Sequence, residues 1–215
     1  MRPRRAGGCV TARASVRAIK DGDATSTREV ILDAALALFR QQGYAATSLR
    51  QVAEAVGTTK AALYYHFPAK EQILLELARP FFDDLSELVT DFRRNERTRT
   101  RTEAEVLRAY LSVLIKHAPI IRVLAAEPET QNHPDIGQRV RTLIDSVRRY
   151  IEGPEADTLR TIRAQCAMGA LGGGAIAEGV SADEHSELIL DAALAALGAP
   201  TRPATRKAPS RSRPS

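Results

Sequence analysis

The chain has only two cysteines, Cys9 and Cys166, in 215 residues; that excludes a disulfide framework, and they have no metal-ligand spacing. Cys166 falls in a helical pattern and is expected in the core. No run approaches the roughly eighteen apolar residues of a membrane span, and the Arg4-Arg5 pair lacks the apolar segment of an export signal. No membrane partner is therefore expected. Paired-carboxylate motifs, a nucleophile elbow, a Cys/His ligand cluster and a phosphate loop are all missing, which leaves no catalytic residue, metal or cofactor to assign. The run Gly169-Ala-Leu-Gly-Gly-Gly174 is not followed by Gly-Lys-Ser/Thr and sits in a helical pattern, so it reads as close helix packing.

Positive charge is present but unevenly placed. Residues 1–25 carry six Lys or Arg against two Asp, and residues 200–215 carry five against none, whereas residues 72–199 carry fifteen against twenty Asp or Glu. The net charge of +5 thus belongs to two basic ends on an acidic body, which argues for nucleic-acid binding concentrated at one end rather than over the whole surface. The arm, with Arg2, Arg4, Arg5, Arg13, Arg17 and Lys20, is expected to be disordered, or to follow a phosphate backbone or minor groove. Residues 200–215 lack large apolar side chains and read as a disordered tail.

Between these ends, Ile31, Ala34, Ala35, Leu38 and Phe39 recur along one face of a helix. Ser26 and Glu29 stand in the relation of a capping box, so the helix is expected to start near Thr27, with Gly43 closing it. Thr47 is the expected N-cap of a short second helix with an apolar side of Leu49, Val52, Ala53 and Val56, interrupted by Gly57. Thr58 or Thr59 caps a third, which Pro68 stops. Two short helices joined by a turn of roughly three residues with a glycine form a helix-turn-helix, and double-stranded DNA becomes the expected partner. On a helical wheel Lys60, Ala61, Tyr64 and Tyr65 share one arc, Leu63 and Phe67 fall away from its centre, and Ala62 and His66 lie on the opposite side. A cation, a methyl-sized residue and two phenols suit phosphates and base edges in a major groove. The bland alternatives are packing tyrosines and a half-buried structural His66.

Thr27-Arg-Glu29, Ile31-Leu-Asp-Ala-Ala35, Leu38-Phe39, Gly43-Tyr44, Thr47-Ser-Leu49, Ala53, Gly57 and Leu63-Tyr-Tyr-His-Phe-Pro-Ala-Lys-Glu71 together resemble the TetR/AcrR-type regulators, over about a fifth of the chain. The resemblance implies an all-helical homodimer, usually a repressor, whose N-terminal domain binds a palindromic operator and whose C-terminal domain binds a small-molecule inducer. Carried over by position, it implies Thr47 at a phosphate, Thr59, Lys60, Ala61 and Tyr64 at or near bases, and Tyr65, His66 and Lys70 at phosphates. The dipole of the helix that Lys70 opens would favour the same phosphate. Thr58 counts among the DNA-facing residues; such proteins commonly carry valine there, which leaves the cap of the third helix open.

The rest of the pattern is helical. From Lys70 to about Arg94, Ile73, Leu77, Phe81, Leu85, Leu88 and Phe92 form a stripe about 36 Å long. Pro80 within it predicts a kink or break, where effector binding would become a change in recognition-helix separation. After the charged break Arg93 to Arg101, Thr102 caps a helix with Val106, Leu107, Tyr110, Leu111, Leu114 and Ile115 on its apolar face, and Pro119 suits the first turn of the next. Pro128 and Pro134 bracket an expected loop, and Ile136, Val140, Leu143, Ile144 and Val147 mark a helix ending before Gly153-Pro154. The last two helices, carrying Leu159, Ile162, Cys166, Gly169, Ala170 and Gly173 on one and Leu190, Ala193, Leu194 and Leu197 on the other, are the expected homodimer surface.

The chain therefore reads as an all-α fold of about nine helices, with a DNA-binding domain over residues 26–86 and a ligand-binding and dimerisation domain over residues 87–199. An effector pocket is implied by the resemblance, with Phe82, Tyr110, Leu114, His117, Leu143, Val147 and Met168 as its candidate lining. Tyr110 and His117 could orient a mostly apolar ligand, although each residue is also what a plain core requires. The expected function is a ligand-responsive repressor, cytoplasmic and nucleoid-associated when bound to DNA. A constitutive or architectural DNA-binding protein without an effector is the alternative.

Overall fold

The computed structural model describes residues 24–95, 100–177, 179 and 181–198; the basic arm and tail fall outside them. The described residues form ten helices and no strand. They are α1 (Ala24–Gln42), α2 (Leu49–Val56), α3 (Lys60–His66), α4 (Lys70–Arg94), α5 (Glu103–Lys116), α6 (Ala118–Ala126), α7 (Pro128–Gln131), α8 (Pro134–Glu152), α9 (Thr158–Ile176) and α10 (Ser186–Leu197).

α1 begins at Ala24, so Ser26 lies inside it and the expected capping box does not open the helix. Its end follows the sequence: Gly43 takes a φ of 90° and donates its N–H to the Phe39 carbonyl at 3.0 Å. The cap of α2 moves by one residue. Ser48, not Thr47, accepts the Gln51 N–H, and the Gln51 side chain accepts the Ser48 N–H at 2.8 Å. Thr47 is only 2% exposed. Its hydroxyl donates to the Gly43 carbonyl at 2.7 Å and accepts Gln42 Nε2 at 3.1 Å, closing the loop from inside. Gly57 at φ 74° ends α2, and Thr59 caps α3 by accepting the Ala62 N–H at 3.1 Å.

α4 runs as one helix through Pro80, so of the kink or break expected there the break does not occur. Pro80 is exposed, and the Glu76 carbonyl that it leaves without a donor can be served by solvent. α4 joins the two parts of the molecule, because it contacts α1 on one side and α5, α6 and α8 on the other, with Ile73, Leu74, Phe81, Phe82, Leu85, Val89 and Phe92 buried along it. The boundary expected near residue 86 falls inside this helix.

The Thr102 cap and the first-turn Pro119 are present as read, and Glu105 completes a capping box with Thr102. The segment after Pro128 is a turn of helix rather than a loop, held by the Thr130 hydroxyl donating to the Leu124 carbonyl at 2.9 Å and the Glu127 carbonyl at 2.7 Å. α9 packs along α10, and a Cβ on Gly174 would come within 2.7 Å of Ile189 Cγ2. That glycine therefore sets how closely the two helices approach. Two placements differ from the sequence reading: Cys166 is exposed rather than in the core, and Leu190, Ala193 and Leu197 are buried within the subunit. Among the described residues no single helix is long and apolar enough to cross a membrane.

Candidate nucleic-acid interface and interior cavity

α3 is seven residues long and could not persist alone. Leu63 and Phe67, both 0% exposed, pin it to the core, each burial contributing about 1.5–3 kcal/mol. With that side fixed, Lys60, Ala61, Tyr64 and Tyr65 face solvent, Tyr65 at 87% exposure. Lys60 Nζ lies 5.4 Å from the centroid of the Tyr64 ring, so the cation and one phenol form a single patch. Ala62 is exposed as well, not on an inner face, because a two-turn helix buried through one residue hides little else. His66 is half-buried, with its ring edge-on to Tyr65 at 5.5 Å. Thr58 is half-buried in the turn, and Thr59 serves as the cap.

A residue without an assigned role in the sequence reading positions this helix. Arg28 of α1 donates through Nη1 to the His66 carbonyl at 3.0 Å, lies 4.2 Å from the Phe67 ring centroid, and grips Glu76 through Nε at 2.9 Å and through Nη2. It ties the end of α3 to α1 and α4 at once. The Arg28 hydrogen bond holds the Glu76 carboxyl below the usual range. The signal in the sequence was a lone arginine on the polar side of α1, which nothing local distinguishes from a solvated one.

Lys70 is placed differently from its expected phosphate contact. Its ammonium donates to the Tyr44 carbonyl at 2.8 Å and the Ala45 carbonyl at 3.3 Å, and sits 4.1 Å from the Tyr44 ring centroid. The cation thus braces the turn between α1 and α2. Thr47, buried and bonded within that same turn, shows no free hydroxyl to a phosphate either, whereas Ser48 beside it is exposed.

In the larger bundle an apolar cavity of about 380 Å³ is walled by Phe81, Tyr110, Leu114, Ile121, Leu124, Ile136, Val140, Ile144, Gly172 and Ile176, with Ala125, Gln131 and Arg141 at its exposed side. Of the sequence-expected lining, Tyr110 and Leu114 are there. Phe82, His117, Leu143, Val147 and Met168 are not among its walls. The reason is helical phase: Phe81 rather than Phe82 and Ile144 rather than Leu143 face inward, about 100° around the helix from the residues expected. Phe82 lies under Arg139 instead, 4.8 Å from the guanidinium carbon. Burial pushes the Tyr110 hydroxyl up to about 12. His117 is spent elsewhere: its Nε2 is 2.7 Å from Asp84 Oδ2, joining the α5–α6 junction to α4. A second cleft of about 210 Å³, near Glu103 and Tyr150, has its cations already paired, Arg160 with Glu103 at 2.7 Å and Arg101 with Asp91 at 2.6 Å.

Residues 31–77 match the family described as bacterial regulatory proteins, tetR family. The HTH-type transcriptional regulator AcrR of Shigella flexneri is 39% identical over 71 residues, 33% of each chain. The HTH-type transcriptional repressor KstR2 of Rhodococcus jostii is 43% identical over 58 residues, 27% of this chain and 28% of that one. The chain thus spans about a third of the length of these curated relatives. The fold extends further: a member of the TetR transcriptional regulator family from Streptomyces coelicolor superposes with a TM-score of 0.61 at 22% identity, covering 80% of this chain and 91% of that one. The helix-turn-helix segment thus matches the tetR family, and most of the chain has the fold of a solved structure from that family.

Proposed function

We propose that the protein is a DNA-binding transcription regulator, a homodimeric repressor that binds a palindromic operator and is released by a small, mostly apolar effector. The observation that carries this is α3 itself, where Leu63 is the buried residue and Lys60, Ala61, Tyr64 and Tyr65 are turned to solvent. Exposed phenols have no packing role to explain them, and base edges and phosphates give them one.

The dimer is supported by where large apolar side chains stay exposed. Among the described residues they are Tyr64 and Tyr65 on α3, and Leu159, Ile162 and Leu188 on α9 and α10. On α9, Leu159, Ile162, Cys166, Gly169 and Gly173 are all exposed at alternating steps of three and four, and a Cβ on Gly169 or Gly173 would meet nothing within 4 Å. Such a stripe suits a second helix from another copy. Pairing would set two α3 helices in successive major grooves about 34–36 Å apart. The cavity beside Tyr110 favours effector control over a constitutive regulator.

The test is selection of binding sites by the full-length protein from a randomised DNA pool, followed by anisotropy titrations. A two-fold symmetric site bound by two protomers is expected, and Tyr65→Ala should lose binding with its melting temperature unchanged. Enrichment of no sequence, or full affinity in Tyr65→Ala, rejects the proposal.

A further inference from the structure

The polar groups around the cavity are unequally committed. Thr130 spends its hydroxyl on the Leu124 and Glu127 carbonyls, and Gln131 spends its Nε2 on the Ala125 carbonyl at 2.7 Å. Two groups remain. One is the hydroxyl of Tyr110, 3% exposed, which makes no hydrogen bond among the described residues. The other is the guanidinium of Arg141, exposed at the rim, which gives a single hydrogen bond, Nη1 to the Gln131 carbonyl at 3.2 Å.

Arg141 is held there by the lack of a side chain at Gly137. A Cβ on Gly137 would collide with the Gln131 carbonyl oxygen and approach Arg141 Nη1 to 3.1 Å. On the same helix, Arg139 is paired with Asp83, and Arg148 with Asp145 and Glu152. Arg141 has no carboxylate partner among the described residues, so four of its five N–H donors are free for a planar anion. Between this rim and Tyr110 the wall is apolar. Gly172 keeps it open, because a Cβ there would meet nothing within 4 Å.

We propose that the effector is an amphipathic carboxylate, with its anionic head on Arg141 and an apolar chain or fused-ring body against Phe81, Leu114, Ile121 and Ile144, running toward the Tyr110 hydroxyl. This rests on the effector-responsive reading above and narrows it to one ligand class. An uncharged ligand of the same body would leave the guanidinium without its partner.

The test uses calorimetric titration of the full-length protein with dodecanoate and dodecanol, and with pyrenebutyrate and pyrenebutanol, with operator release measured in parallel. Each carboxylate that binds should do so about tenfold more tightly than its alcohol, the effect of one charge-assisted hydrogen bond. Arg141→Gln should remove that preference and leave alcohol binding unchanged. Gly172→Leu should abolish binding of both without lowering the melting temperature, since leucine is the better helix former. The chain and ring pairs identify which body fits. Alcohols binding and releasing operator as well as carboxylates would remove the anion but keep the effector-responsive reading. No saturable binding by any of the four, with operator affinity intact, removes both.

Discussion

Glu127, between α6 and α7, accepts the backbone N–H of Ala45 on its Oε2 at 2.9 Å, so the larger bundle directly grips the turn between α1 and α2. That turn also contains buried Thr47 and is braced by Lys70. α6 walls the cavity through Ile121, Leu124 and Ala125. A shift of α6 on filling the cavity would therefore reach the DNA-binding domain through this carboxylate as well as through the packing of α6 on α1.

Gly43 makes this contact measurable. Its φ of 90° is one that side chains rarely adopt, and an added Cβ would also strike Glu127 Oε1. Gly43→Ala is expected to cost about 1–2 kcal/mol from the left-handed backbone alone, and Glu127→Ala about 1 kcal/mol from the lost hydrogen bond. In urea denaturation the double variant should be less destabilised than the two single costs added together, because the collision disappears with Glu127. Additivity within about 0.5 kcal/mol would show that the two residues do not meet.

Lys60 and Lys70 are predicted to separate cleanly. Lys60 is exposed on α3, so Lys60→Ala should leave the melting temperature unchanged and lower the salt slope of DNA binding by about one phosphate contact. Lys70→Ala removes the donor to Tyr44 and Ala45 and should lower the melting temperature by several degrees, about what 1 kcal/mol produces in a domain of this size. A Lys70→Ala protein with unchanged melting and a reduced salt slope would restore Lys70 as a phosphate ligand.

How much of this was legible in sequence follows from the range of each signal. Local periodicity and turn chemistry placed α4 from Lys70 to Arg94, the Thr102 cap and the exposed face of α3, because those depend on neighbours a few residues away. Thr47 lost the cap to Ser48 because two adjacent hydroxyl residues are equally able to serve, and only the tertiary position of the loop buries one of them. The roles of Arg28 and Glu127 depend on partners 48 and 82 positions away, beyond any periodicity. The glycine run was read as packing throughout, yet its members diverge: Gly174 admits Ile189, Gly172 opens on the cavity, and Gly169 and Gly173 face solvent.

The proposed dimer face makes a prediction that distinguishes α9 from α10. Ile162→Glu puts a charge in the exposed stripe, where Ile162 is 55% exposed in the subunit. It should yield a folded monomer by light scattering, with operator affinity reduced at least a hundredfold, because one α3 reads only a half-site. Leu197→Glu, at a position 3% exposed, should instead unfold the subunit by burying an unpaired charge. The exposed residues of α10 to combine with Ile162 are Leu188, Ala192 and Ala195, not Leu190, Ala193 and Leu197. A dimeric Ile162→Glu protein would move the interface elsewhere.

The last prediction concerns acid. Asp84 on α4 accepts Lys116 Nζ at 2.6 Å and His117 Nε2 at 2.7 Å. The Lys116 hydrogen bond, then the His117 one, hold its carboxyl below the ordinary range, as Arg28 does for Glu76. A carboxyl depressed in the folded state gives stability that is complete above its unfolded value, about 3.9 for Asp and 4.3 for Glu. That stability is lost as pH falls from the unfolded value through the lower folded value, because over this range the unfolded state takes up the proton before the native state does. Asp84→Asn and Glu76→Gln should therefore be less stable than the parent at neutral pH. The deficit should shrink steadily once the pH drops below about 4, as the parent loses what the variants never had. Urea midpoints measured from neutral pH into this acid range test it. A deficit that stays constant across the range would mean that these carboxylates act through packing rather than charge.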